Sequence, residues 1–386
     1  MTPARGTPAA QGYRMPAEWE PHAATWLAWP HERTDWPGPG KLEAVRWVYA
    51  EVVRHLVTGE RVRILVRDER LERQARGVLR RAGVDLDRVD WLRIATDRSW
   101  TRDYCPLFVR GPDGATGLVG WRFNGWAKYP DHRRDAAVPR QVARRLRHPL
   151  WTPLAGVDGA HRVVLEGGAI DVNGRGALLT TEECLLSPVQ ARNPGLGRRD
   201  LERVLGEHLG VRKVLWLGEG IAGDDTHGHV DDLARFVDAR TVAIAVCDDP
   251  TDENYSKLRE NRDRLRDMTD QDDAPLRVVE LPMPCPIVFD GQRLPASYAN
   301  FYIANSVVLV PTFNDPADRR ALQTLAELFP TRRVVGIHAV DLVLGLGTLH
   351  CMTQQEPSAR DFVSVRDGRR PETSSRGGPD GESGAR

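Results

Sequence analysis

The chain reads as an α/β protein whose helix-and-strand units recur around a common axis, a closed and radially repeated architecture. Three observations in the sequence predict it. Amphipathic helical patterns alternate with short β-branched runs, and the alternation occurs five times. Four of the five units are followed by a cluster of polar, chemistry-bearing residues. An open doubly wound sheet would alternate in the same way, but a ring would aim all four clusters at one place.

In chain order, helices are predicted over residues 41–57, 136–147, 198–209, 252–268 and 316–329, each with apolar side chains three and four apart on one face. Apolar runs at 62–66, 163–165, 214–217, 278–281 and 334–337 follow them as strands. Gly59, Gly156, Gly210 and Pro330 punctuate the joins. Further strands are expected at 117–123, 177–180, 241–246 and 307–310. Residues 1–14 and 363–386 are small, polar and charged with little to bury, so they are expected to be flexible flanks of one catalytic domain spanning 15–362.

Composition removes several function classes. Lys+Arg and Asp+Glu both number 54, so no net field draws the chain to nucleic acid or to a membrane. The five cysteines are odd in number and widely spaced, with no CxxC pair, which suits reduced thiols in the cytoplasm. The first 14 residues hold no apolar signal region, and no run of 18 apolar residues occurs, so neither secretion nor membrane spanning is expected.

The chemistry lies in four segments. Residues 99–106 carry Trp100 and Asp103: a wall and a carboxylate suited to a cation, although taken alone Asp103 reads more readily as a structural ion pair with Arg102 or another arginine. Cys105 lies two residues further on, close enough to line the same pocket. Glu166 precedes Gly167 and Gly168, an acid where the backbone can approach a ligand closely, or a simple turn. Residues 223–232 pack four acids and two histidines into ten positions. Extended, that segment would put His227, His229 and Asp231 on one face. Such a face suits either an acid/base histidine with an acid alongside or a His-x-His-x-Asp metal site. Cys351 closes the set, after Gly345 and Gly347 and before Thr353, Gln354 and Gln355. Cys184, Cys247 and Cys285 have no such company and read as structural.

A thiol, a histidine and several carboxylates suit one substrate group above others. A guanidinium is planar, permanently charged and paired by carboxylates, and its poorly electrophilic carbon calls for a soft thiolate. Two carboxylates about 4 Å from such a cation contribute on the order of 4 kcal/mol each at an effective dielectric of 20, before desolvation. Converging acids would serve a neutral substrate poorly.

On these motifs, together with residues 15–22 (MPAEWEPH) and 25–30 (TWLAWP), the chain resembles the agmatine deiminase and bacterial peptidylarginine deiminase family, and more distantly arginine deiminases and amidinotransferases. The resemblance covers residues 15–360 with the site motifs in the same order. It implies a five-bladed α/β propeller (the pentein fold), built from pseudo-fivefold ββαβ repeats around a central active site. It further implies Cys351 as nucleophile, His229 as acid/base, Asp103 and Asp231 as guanidinium ligands, and Glu166 as partner of His229 and substrate. Trp100, Asp225, His227 and Gly347 are expected to line the substrate site. The implied reaction hydrolyses agmatine to N-carbamoylputrescine and ammonia without metal or cofactor. Peptidyl-arginine or a modified arginine is the alternative substrate, and a metal hydrolase or a non-catalytic propeller the competing classes. The partner is a small guanidinium molecule, and a homo-oligomer is compatible with the sequence. Two positions depart from the family pattern: Cys105 stands where glycine is common, and His227 where an acidic or amide residue is usual.

Overall fold

The computed structural model describes residues 6–156, 159 and 161–359. Five small sheets share one topology, in which an antiparallel pair is followed by a parallel strand reached through a helix. In the first, Gln354–Pro357 lies antiparallel to His22–Ala28, which runs parallel to Arg61–Val66 across the helix Lys41–Leu56. A second helix, Glu69–Arg81, leads to a further parallel strand, Val89–Arg93. The second sheet sets Leu107–Arg110 against Thr116–Val119, then Leu150–Trp151 after the helix Val138–Leu146. The third joins Asp171–Val172, Ala177–Thr181 and Lys213–Leu217 across the helix Arg198–Leu209. The fourth joins Ala234–Phe236, Thr241–Val246 and Arg277–Pro282 across Asn254–Asp267. The fifth joins Tyr302–Ile303, Val307–Thr312 and Arg333–His338 across Ala317–Leu328.

The middle strands explain their own composition. Thr241–Val246 is buried at every position, so it reads as an unbroken β-branched and apolar run and not as an alternation. Helix boundaries follow local chemistry: Asp68 caps Glu69–Arg81 by accepting the N–H of Leu71, and Gly210 ends Arg198–Leu209 in the left-handed region, where a glycine is favoured. The last described strand, Gln354–Pro357, pairs with the first, which ties the segment carrying Cys351 to the start of the domain. Among the described residues no helix is long and apolar enough to cross a membrane.

Two expectations are corrected here. Residues 163–165 form no strand beyond a single bridge from Val164 to Arg122, because the Asn193 side chain occupies both backbone groups of Val164, at 2.8 Å each. The parallel strand of that unit is Leu150–Trp151 instead. The N-terminal flank is also ordered before residue 15: a 3-10 turn spans Ala9–Gln11, and the Tyr13 ring packs 5.1 Å from that of Trp151. Residues 1–5 and 360–386, where the remaining flank expectations fall, lie outside the described residues.

Candidate active site

Three of the four motifs meet at a cavity of about 190 Å³ lined by Trp100, Asp103, Trp126, Asp225, Gly347 and Cys351 among others, and Glu166 of the remaining motif lies behind it against His229. Loops that follow repeats present Trp100, Asp103, Asp225, Gly347 and Cys351, whereas Trp126 comes from within the second unit, before the helix Val138–Leu146. A short helix, Thr101–Tyr104, carries Asp103 and is docked on the cysteine loop: the Thr101 hydroxyl donates to Met352 O at 2.7 Å and Arg102 N–H to Cys351 O at 3.1 Å. Asp103 does not pair with Arg102. Its two oxygens accept from Trp126 Nε1 at 2.9 Å and from Gly168 N–H at 3.0 Å.

Gly168 matters for the side chain it lacks. A Cβ there would lie 2.6 Å from His229 Nδ1 and 3.0 Å from both Asp103 Oδ1 and Asp231 Oδ2, so only glycine lets these groups close around it. Gly167 similarly abuts Arg102 O, 2.2 Å from where a Cβ would sit. Glu166 is fully buried and held by Arg192, whose Nε donates to it at 3.2 Å; its second oxygen faces His229 Nε2 at 3.8 Å.

The segment 223–232 is not extended, which corrects the shared face expected for His227, His229 and Asp231. Asp224 folds it by accepting Gly228 N–H at 2.8 Å and His229 N–H at 2.9 Å, and His227 takes the left-handed region. His227 turns to Ser187 at 3.2 Å and Glu183 at 3.6 Å and does not line the cavity, so no His-x-His-x-Asp donor set forms. His229 is instead buried among carboxylates, its Nδ1 3.9 Å from both Asp103 Oδ1 and Asp231 Oδ1. Asp225 does reach the cavity wall, where it pairs with Lys128 and accepts from the Tyr129 hydroxyl at 2.7 Å. Cys105 is buried away from the cavity lining, and burial followed by the charge of Asp135 pushes its thiol up.

Cys351 sits in a turn after the 3-10 helix Leu342–Gly345, its Sγ 3.7 Å from Asp231 Oδ2. Asn300 Nδ2 donates to the sulfur at 3.1 Å, while Asn300 Oδ1 accepts from the Thr348 hydroxyl at 2.7 Å and from His350 N–H at 2.9 Å. Asn300 follows the fourth repeat, so every unit contributes at least one side chain, the third both His229 and Asp231. Among the described residues two donor sets could hold a metal, Glu166 with Cys184 and His229, and Asp231 with Asp232 and Cys351. The first brings Cys184, read above as structural, beside the imidazole.

The electrostatics are those of a crowded acidic pocket. Burial pushes the Cys351 thiol well up, and the charges of Asp231, Asp232 and Asp103 push it further. Burial raises Asp103 as well, to about 6, with Asp231 and Glu166 adding and His229 opposing. For Glu166 burial is overcome by Arg192 and His229, which hold it down at about 2. His229 is raised despite its burial, chiefly by the Asp103 charge. The same acids thus favour the neutral form of the thiol and the charged form of the imidazole.

The fold and this site define an α/β protein whose cavity gathers a thiol, aromatic rings and buried carboxylates. The family profile of Porphyromonas-type peptidyl-arginine deiminase matches residues 14–357. The chain is 36% identical to the agmatine deiminase of Ectopseudomonas mendocina, over 93% of this chain and 99% of that one. The structure is similar to that of an Enterococcus faecalis agmatine deiminase, with TM-score 0.85 and 31% identity over 93% and 100% of the two chains. It is also similar to a substrate-bound C. jejuni agmatine deiminase, with TM-score 0.78 and 28% identity over 89% and 96%. The chain belongs to the Porphyromonas-type peptidyl-arginine deiminase family, and it is an enzyme that acts on guanidino carbon–nitrogen bonds.

Proposed function

We propose that this protein is a cytoplasmic agmatine deiminase, with its five sheets arranged as the blades of a propeller around the cavity. The observation that carries this reading is that Cys351 and Asp103 line one small cavity with the His229 imidazole and the buried carboxylates Glu166 and Asp231 packed directly behind them. His229 lies 3.9 Å from Asp103 and 3.8 Å from Glu166, and Asp231 3.7 Å from the sulfur. The guanidinium's positive charge favours the thiolate, so the thiol releases its proton to solvent as substrate binds.

Asp103 and Asp231 grip the guanidinium nitrogens, and Trp100 packs as an apolar wall beside the chain. Cys351 Sγ bonds to the guanidinium carbon while Asn300 Nδ2 steadies the sulfur. His229 passes its proton to the departing nitrogen, and ammonia leaves as the carbon–nitrogen bond breaks. A thiouronium remains on Cys351. His229, oriented by Glu166, then takes a proton from water, whose oxygen attacks the same carbon. The carbon–sulfur bond breaks and the ureido product leaves. Agmatine and water become N-carbamoylputrescine and ammonia, with the enzyme restored.

Asp225, at the wall, is placed to meet the distal amine of agmatine. A panel of agmatine, arginine, a peptidyl-arginine and an alkylguanidine, scored for ureido product, tests the assignment. Agmatine should give the highest kcat/KM; a preference for peptidyl-arginine would reassign the substrate, and ureido product from none of them would overturn the reading.

A further inference from the structure

His350 precedes the nucleophile in the chain but does not line the cavity. Its ring lies between two carboxylates, Nδ1 2.7 Å from Asp231 Oδ2 and Nε2 2.8 Å from Glu18 Oε2, and all three residues are at most 4 % exposed. Each ring nitrogen therefore has a carboxylate oxygen within hydrogen-bond distance, one on either side. Glu18 is itself immobilised. Its Oε1 accepts Ile303 N–H at 2.8 Å and pairs with Arg235 at 2.9 Å, and Oε2 pairs with Arg102 at 3.1 Å. The ring is also fixed from its backbone, since its N–H donates to Asn300 Oδ1 at 2.9 Å.

One consequence falls on Asp231. Its Oδ2 is occupied by His350, whereas its Oδ1, equally buried, has no hydrogen-bond partner among the described residues and faces His229 at 3.9 Å. We propose that His350 is a positioning residue: clamped between Glu18 and Asp231, it holds Asp231 turned so that its second oxygen meets the guanidinium. Glu18, from the N-terminal segment, is the fixed anchor of this clamp. The proposal rests on the guanidinium reading given above.

A positioning role is separable from simple support because it acts on the charge of the ligand. Binding is measured by calorimetry on the full chain in the Cys351→Ala background, with agmatine and with N-carbamoylputrescine, whose ureido head is uncharged. His350→Leu removes both clamp bonds and should weaken agmatine about tenfold or more while changing N-carbamoylputrescine by less than about threefold. His350→Asn, short enough to serve Asp231 alone, should keep agmatine within about threefold, whereas His350→Gln, reaching Glu18 alone, should behave like the leucine variant. The amide pair carries the test if the leucine variant does not fold. Equal losses for both ligands, or equal behaviour of the two amides, would overturn the proposal. Absence of agmatine binding with His350 in place would overturn the guanidinium reading, and the clamp with it.

Discussion

Gly168→Ala is a perturbation of one carbon whose effect follows from geometry. The new Cβ would lie 2.6 Å from His229 Nδ1, so the ring must retreat by about 0.8 Å to reach ordinary contact at 3.4 Å. Asp103 Oδ1 and Asp231 Oδ2, each 3.0 Å away, must also shift, and the Gly168 N–H bond to Asp103 is disturbed with them. Overpacking of this kind costs about 1–3 kcal/mol of stability. The larger effect is catalytic, because a misplacement of about 1 Å among reacting groups lowers rate on the order of a hundredfold. Steady-state kinetics on agmatine, with thermal unfolding measured in parallel, should show kcat/KM falling about a hundredfold in a folded protein. Gly77→Ala is the control: it lies within the helix Glu69–Arg81 and its Cβ would meet only Arg81 Nη1 at 3.9 Å, so it should add about 0.5–1 kcal/mol of stability and leave kinetics alone. A Gly168→Ala enzyme within about threefold of wild type would mean that His229, Asp103 and Asp231 are not held against one another as described.

Cys351→Ala should lower turnover by at least about a hundredfold while agmatine still binds; faster residual catalysis removes the nucleophile assignment. Asp103→Asn and Asp231→Asn should each lower kcat/KM at least about a hundredfold, roughly 2.7 kcal/mol, with every guanidine tested, because both acids address the reacting group. Asp225→Asn should harm agmatine more than an alkylguanidine without the distal amine; equal effects would take Asp225 out of recognition. The pH profile separates site from fold. Asp103 is raised to about 6, so it takes up its proton, and kcat/KM falls, as pH drops through about 6. Glu166 is depressed from 4.5 to about 2, so its contribution to stability is present above 4.5 and is lost only as pH falls toward 2. Activity should therefore fall before the fold does, and simultaneous loss in circular dichroism and kinetics would contradict these placements. Turnover should survive EDTA with far less than one equivalent of transition metal in the protein; stoichiometric zinc with chelator-sensitive activity would favour the metal reading.

The recurrence of helix and strand was legible because amphipathic helices such as Arg198–Leu209 carry a strong 3.6-residue period and buried strands such as Thr241–Val246 are unbroken apolar runs. The segment 163–165 looks like such a run, and nothing local reveals that the Asn193 side chain captures its backbone. Asp103, Glu166, His229, Asp231 and Cys351 stood out by residue type and local company. His227 misled because alternation along a strand was assumed where Asp224 folds a turn. Asn300, Arg192 and Glu18 carry no local signature, since their partners are 26 to 332 residues away in the chain. The one available signal for Asn300 was the gap left by the fourth repeat, the only unit without a polar cluster of its own.

The central claim is that Cys351 Sγ bonds to the guanidinium carbon. Acid quenching of the enzyme during turnover of agmatine, followed by mass spectrometry of the peptide containing Cys351, tests it directly. The account predicts an adduct on that peptide with the mass of agmatine less ammonia, absent from the Cys351→Ala protein. Ureido product formed at an undiminished rate by Cys351→Ala, or an adduct on Cys184 or Cys105 instead, would contradict it.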